Sequence, residues 1–279
     1  MLPGRLACPA CGAQTTAPWP TDAELDAAYG GWYRPATGRF GHLADAVLAR
    51  TRGALARRID ELAPAGRVLD VGSGDGALLR ALRRRGRVAV GLEREPNPAD
   101  PGVHAGELTD EPGPWAAIVL WHALEHLRAP GAALDHAIAT LAPGGVLFIA
   151  VPNVTSLQAR IFGADWLALD LPRHLVHLPA PTLLARIRAG GMQVTRVSHW
   201  RGGQVLFGWL HGLVGLAPSH PSLYGAIRSR AARSAPLSLA RRAGTLAAAV
   251  VLAPIAAVLA LAEILLRRGG TVYVEARRP

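Results

Sequence analysis

Asp70 and Asp75 stand on either side of Gly72 and Gly74, the first two of three alternating glycines that end at Gly76, in the run V68-L-D-V-G-S-G-D-G76. Glycines at this spacing let the chain turn sharply and let a ligand lie directly on backbone. The dinucleotide pattern G-x-G-x-x-G/A is formally met by Gly72, Gly74 and Ala77, with Glu93 at the distance of a ribose-binding acid. A pyrophosphate favours a helix N-terminus, however, and two aspartates beside the turn repel it and attract a cation. Other residues able to do chemistry stand downstream: His122, Glu125 and His126, then Asn153, then Arg173, His174 and His177. Cys8 and Cys11 are the only two cysteines.

The elements that must hold these groups can be read from periodicity. Val68, Leu69 and Val71 form the apolar run of a buried parallel strand, and Leu78, Leu79 and Leu82 mark one face of a helix starting near Ala77. A second strand, V88-A-V-G-L-E93, ends in an acid. H104-A-G-E107-L108 marks a third strand end, A116-A-I-V-L-W-H122 a fourth strand, and V146-L-F-I-A-V-P-N153 a fifth after the turn L141-A-P-G-G145. This ordered succession resembles the class I S-adenosylmethionine-dependent methyltransferases over most of residues 66–200 and the final strand.

The resemblance implies an α/β, Rossmann-like sheet of seven strands, mostly parallel with the last antiparallel. It also implies S-adenosylmethionine as cofactor, whose sulfonium and ammonium suit the acidic turn. On that reading Asp70, Gly72, Ser73, Gly74 and Gly76 form the cofactor turn and Glu93 takes the ribose hydroxyls. Glu107 and Leu108 lie by the adenine, and Trp121 and His122 by the methionine end. Asn153 falls at the carboxyl edge of the sheet, where open α/β folds bind ligands.

H122-A-L-E-H126 spells the H-x-x-E-H pattern of certain zinc proteases. Zinc catalysis needs a third protein ligand and a helical setting, and the pattern here follows a buried strand, so no metal is expected. His126 reads as a packed or capping side chain. The segment W166-L-A-L-D-L-P-R-H-L-V-H177 resembles a P-R-H-L segment of one methyltransferase subgroup. His174 or His177 is placed to take a proton from an acceptor hydroxyl, with His122 a further candidate. The planar fork of Arg173 suits an acidic substrate group, or equally a pairing with Asp170.

At 279 residues the chain exceeds one α/β core, and the surplus lies at both ends. Residues 1–62 read as an N-terminal arm. Its C8-P-A-C11 knuckle is half a zinc ribbon, read first as a remnant, with zinc shared between copies, zinc completed by histidine, or a redox pair as alternatives. Between Thr21 and Leu62 the pattern is helical, a lid by resemblance, in which Tyr29 and Tyr33 are core or cofactor contacts. No basic start followed by an apolar run occurs in residues 1–30, so a cytoplasmic location is expected. Residues 63–200 with 271–279 read as the cofactor-binding domain, and 201–270 as an apolar insertion before the last strand.

That insertion carries V205–L216 and A247–L266, and residues 201–279 hold ten arginines against two acids in a chain of net charge +10. Apolar segments flanked by arginine point to an anionic membrane surface rather than nucleic acid, which would call for interleaved aromatics. Because T271-V-Y-V-E275 must return to the sheet, a single crossing is excluded; a hairpin bent at Pro254, or an interfacial pair of helices, is expected. Three functions remain open. The first is O-methylation of a hydrophobic or lipid-linked acceptor, the second a catalytically silent cofactor-binding scaffold, and the third an NAD-dependent enzyme.

Overall fold

The computed structural model describes residues 4–30, 42–95, 100, 102–200, 203–229 and 236–279. The expected site residues all lie within these ranges; Trp32, Tyr33 and the R34-P-A-T-G-R-F-G41 run do not. The elements run β1 (Gly4–Ala7), β2 (Gln14–Ala17), α1 (Asp22–Tyr29), α2 (His42–Leu62), β3 (Val68–Val71), α3 (Ala77–Arg83), β4 (Ala89–Leu92), β5 (Val103–His104) and β6 (Trp115–Trp121). They continue with α4 (Pro130–Thr140), β7 (Leu141–Pro152), α5 (Leu157–Phe162), β8 (Val176–His177), α6 (Ala180–Ala189), β9 (Gln193–Ser198), α7 (Gln204–Gly215), α8 (Leu223–Ile227), α9 (Leu239–Leu265) and β10 (Thr271–Arg277).

Seven strands form one sheet in the order β5-β4-β3-β6-β7-β10-β9. Neighbours from β5 to β7 are parallel, and β10 lies antiparallel between β7 and β9. Chain order reverses across the β3–β6 junction, which makes the carboxyl ends of β3 and β6 the crevice where such sheets bind ligands. The central strands are continuous apolar runs because both faces are covered. Leu69, Ile118, Leu120, Leu147 and Ile149 pack on one side with α4 and α6, while Val68, Ala117, Val119 and Phe148 pack on the other with α2 and α3.

The N-terminal arm is not wholly helical. β1 and β2 form an antiparallel hairpin with Cys8 and Cys11 exposed in its turn, and β2 pairs with β8 to make a second, three-stranded sheet. The arm is thus stitched to the P-R-H-L segment by backbone hydrogen bonds.

The hairpin expected at Pro254 is absent, and α9 runs unbroken for 27 residues, about 40 Å at 1.5 Å per residue. A proline removes one helical hydrogen bond, and here packing along the flank holds the helix through it. Ala256 and Ala260 of α9 pack with Trp209 of α7 and Phe162 of α5. α7 approaches α5 so closely that a Cβ on Gly212 would come 2.3 Å from the Phe162 ring. Glu263, fully buried, accepts hydrogen bonds from the Gln158 amide N–H (3.0 Å), the Gln158 side chain (2.8 Å) and the Trp209 indole (2.9 Å).

Candidate active site

The glycine turn sits at the carboxyl end of β3. Gly72, Gly74 and Gly76 have φ of 72°, 63° and 69°, in the left-handed region that only glycine enters freely. Space matters as much as torsion at Gly72, where a Cβ would lie 3.1 Å from the Cβ of Ala123. The segment after β6 therefore rests directly on the turn. The Gly72 and Ser73 amides donate to the Leu92 carbonyl, tying the turn to the end of β4.

Glu93 follows β4 and reaches back across the turn. Its carboxylate accepts from the Gly74 amide at 2.6 Å and from the Arg94 amide at 3.0 Å. Asp70 is 3 % exposed on β3. Burial pushes its carboxyl up to about 7, assisted by Glu93 and Asp75 and opposed by Arg52. Gly76 is the residue before α3, and the Asp75 carboxylate accepts from the Ala77 amide in the first turn. Leu108 is buried and Glu107 exposed beyond the short strand β5.

At the end of β6 the Trp121 ring meets Tyr273 edge-on at 5.9 Å, with the Arg52 guanidinium 5.2 Å from its centroid. His122 has a left-handed φ of 54°, a strained value for a non-glycine residue that aims its ring out of the strand direction. Its Nδ1 lies 3.2 Å from the Glu125 carboxylate and its Nε2 3.3 Å from the Gln204 side chain at the start of α7. The H-x-x-E-H residues are not on an α-helix; Leu124–His126 is a single tight 3-10 turn. Glu125 is 1 % exposed. Burial would raise its carboxyl, but His122, His174 and His126 outweigh that and hold it at about 2.

The P-R-H-L segment folds over this turn, yet its side chains differ from expectation. Arg173 is committed to a bidentate pair with Asp170, 3.0 Å from its Nε, and donates to the Ala28 carbonyl at 2.9 Å. It clamps α1 to the segment, the pairing with Asp170 that the sequence also allowed. His177, 3 % exposed, contacts the Thr16 hydroxyl at 3.4 Å beneath the N-terminal hairpin. Burial, aided by the neighbouring His174 and Arg5, lowers its imidazole to about 4, so it is a neutral interior group. His174 is 7 % exposed and bonded through Nδ1 to the Ala168 carbonyl.

Asn153 is also interior. Its amide donates to the Gly269 carbonyl and its oxygen accepts from Thr155 and the Ala180 amide, so it fastens three segments. Of the three histidines singled out as bases, His122 alone is partly open, with 23 % of its side chain exposed. Two residues that complete this site carried little signal. Glu125 stood inside the H-x-x-E-H pattern, whereas Gln204 lies 82 positions from His122 and reaches it only through the fold.

This sheet order, with a glycine turn after β3 and an acid after β4, is that of a class I S-adenosylmethionine-dependent methyltransferase. Comparison with known proteins agrees: residues 45–197, a little over half of the chain, match the methyltransferase domain family, and the chain belongs to that family. It is 30% identical over 157 residues to the ubiquinone biosynthesis O-methyltransferase of Xylella fastidiosa (strain 9a5c), an alignment covering 48% of this chain and 64% of that protein. The corresponding enzyme of Xanthomonas campestris pv. campestris (strain B100) is 29% identical over 157 residues, 48% of this chain and 66% of its own length. The alignments thus take in about two thirds or less of these relatives. Among solved structures, an S-adenosylmethionine-dependent methyltransferase of Archaeoglobus fulgidus shares the fold with a TM-score of 0.51 at 17% identity, covering 82% of this chain and 93% of that one. The cofactor is S-adenosylmethionine, and the acidic turn fits its cationic end.

Proposed function

We propose that the chain transfers the methyl group of S-adenosylmethionine to a hydroxyl oxygen of a hydrophobic or lipid-linked acceptor at the cytoplasmic face of the membrane, with His122 as general base. The observation that carries the reading is the His122–Glu125 pair at the carboxyl end of β6, beside the glycine turn. As the oxygen attacks the methyl carbon in line with the departing sulfur, His122 Nε2 takes the hydroxyl proton and the sulfonium becomes a neutral thioether. Glu125, behind Nδ1, fixes the tautomer and stabilises the imidazolium. Holding oxygen, carbon and sulfur in line at about 3–3.5 Å supplies most of the rate. Oxygen as the accepting atom is supported by relatives that are O-methyltransferases of ubiquinone biosynthesis.

A lipid-like acceptor is supported by α9. Val250, Val251, Ile255, Val258, Leu261 and Leu265 are each more than half exposed along this helix, which is long and apolar enough to cross a membrane. Arg241 and Arg242 flank one end, Arg267 and Arg268 the other, and β10 then returns to the sheet. A helix lying in the interface satisfies all of these facts, whereas a crossing would carry β10 away.

The test uses methyl-labelled S-adenosylmethionine with the protein on anionic vesicles carrying a long-chain alkyl catechol. Label extracted into the organic phase as a methyl ether, and lost in His122→Ala while cofactor binding persists, is the expected result. Label passing only to water-soluble polar acceptors would overturn the lipid reading. Intact cofactor binding with no transfer to any hydroxyl would return the silent scaffold.

A further inference from the structure

The turn that presents His122 also gathers a second group of donors, which shares only Glu125 with the methyl-transfer reading. One potential ligand atom from each of Glu125, His126 and His174 lies within 4.8 Å of the others. Both histidines are held in the same way. His126 Nδ1 is 2.9 Å from the Arg173 carbonyl, with the Tyr29 hydroxyl at 2.8 Å, and His174 Nδ1 is 2.9 Å from the Ala168 carbonyl. A carbonyl can only accept, so each Nδ1 carries a proton, and in the neutral ring Nε2 is then the nitrogen with the lone pair. This is the outer arrangement that orients metal-bound histidines.

The carboxylate answers them. Among the described residues Glu125 Oε2 is buried without a hydrogen-bond partner, and Oε1 is 4.0 Å from His174 Nε2. Asp170 stands behind, 3.7 Å from the same nitrogen and bound to Arg173. A buried carboxylate oxygen left bare beside two imidazole lone pairs is costly unless something cationic lies between them.

We propose that Glu125, His126 and His174 bind one divalent transition-metal ion, zinc best fitting the donors, which fastens the P-R-H-L segment to the turn after β6. Two imidazole nitrogens and one carboxylate oxygen are borderline ligands that favour zinc over magnesium or calcium, and three protein ligands leave a fourth position open. Zinc bonds of about 2.0–2.1 Å require the donors to close to roughly 3.4 Å from one another, a contraction of ångström scale. The third ligand that the H-x-x-E-H pattern lacked in sequence arrives from residue 174, 48 positions beyond His126. The proposal is independent of which acceptor is methylated.

The exposed Cys8–Cys11 pair is a rival zinc ligand, so the test is made in the full chain carrying Cys8→Ser and Cys11→Ser. Elemental analysis and zinc titration after chelator removal are expected to give one zinc per chain. Glu125→Gln and His174→Ala are each expected to weaken binding at least ~10-fold. Circular dichroism of each variant separates lost ligation from lost folding. Cobalt in place of zinc should give visible ligand-field bands without thiolate charge transfer. A Cys-free chain that binds no zinc, or binds it equally in the folded Glu125→Gln and His174→Ala variants, overturns the proposal.

Discussion

Asp70 is buried with its carboxyl raised to about 7, well above the ordinary value near 3.9. The folded state therefore binds a proton that the unfolded chain has released, and stability present below pH 4 is lost as pH rises through 7. Asp70→Asn is expected to stabilise the ligand-free protein at pH 8 by about 4 kcal/mol, with little gain at pH 4.5, in thermal melts at the two values. The same substitution removes the charge facing a cationic ligand, so calorimetry should show weaker S-adenosylmethionine binding in the variant. In the parent, affinity should fall below pH 7 as Asp70 takes up its proton. Glu93→Ala should weaken cofactor binding roughly 10- to 100-fold, because a charged group then no longer accepts from the ligand or from the Gly74 amide. Both residues were legible in the sequence because each stands at a strand end next to glycines. The burial of His174, His177, Arg173 and Asn153 was not, since residue type shows what a side chain can do and only the fold decides how enclosed it is.

At the scale of elements, α9 is held by one buried acid. Glu263→Ala would leave the Trp209 indole and the Gln158 amide N–H without their acceptor, and the Gln158 side chain with the Val205 carbonyl alone, in an apolar setting. A loss of about 3 kcal/mol is expected, read as a lower midpoint in urea unfolding with the slope little changed. Glu263→Gln, which keeps an accepting oxygen, should recover part of it. The strands of the sheet were legible because continuous apolar runs bounded by glycine and acid have few alternatives in an α/β chain. The continuity of α9 through Pro254 was not, because proline signals a break locally while the small Ala256–Ala260 face packs against α7 and α5 from afar.

For the whole molecule, charge and exposed apolar surface lie on the same insertion. The protein is expected to float with vesicles containing anionic lipid and to remain in solution with neutral ones, and the association should weaken as salt rises from 50 to about 500 mM. Replacing Val251, Ile255 and Val258 by glutamate should abolish flotation while cofactor affinity is kept, since these side chains point away from the sheet. Unchanged flotation in that triple variant would place the contact elsewhere.

What the sequence determined by itself was the order of strands, the glycine turn, the acid that follows the second strand and hence the cofactor. Those signals are local: each depends on residues within a few positions and on backbone geometry that neighbouring side chains dictate. The tertiary structure decided which histidine stands open, which arginine is spent on a carboxylate, and which residues meet Glu125. Burial and the convergence of segments 48 to 82 positions apart are properties of the packed chain, and no spacing along the sequence records them.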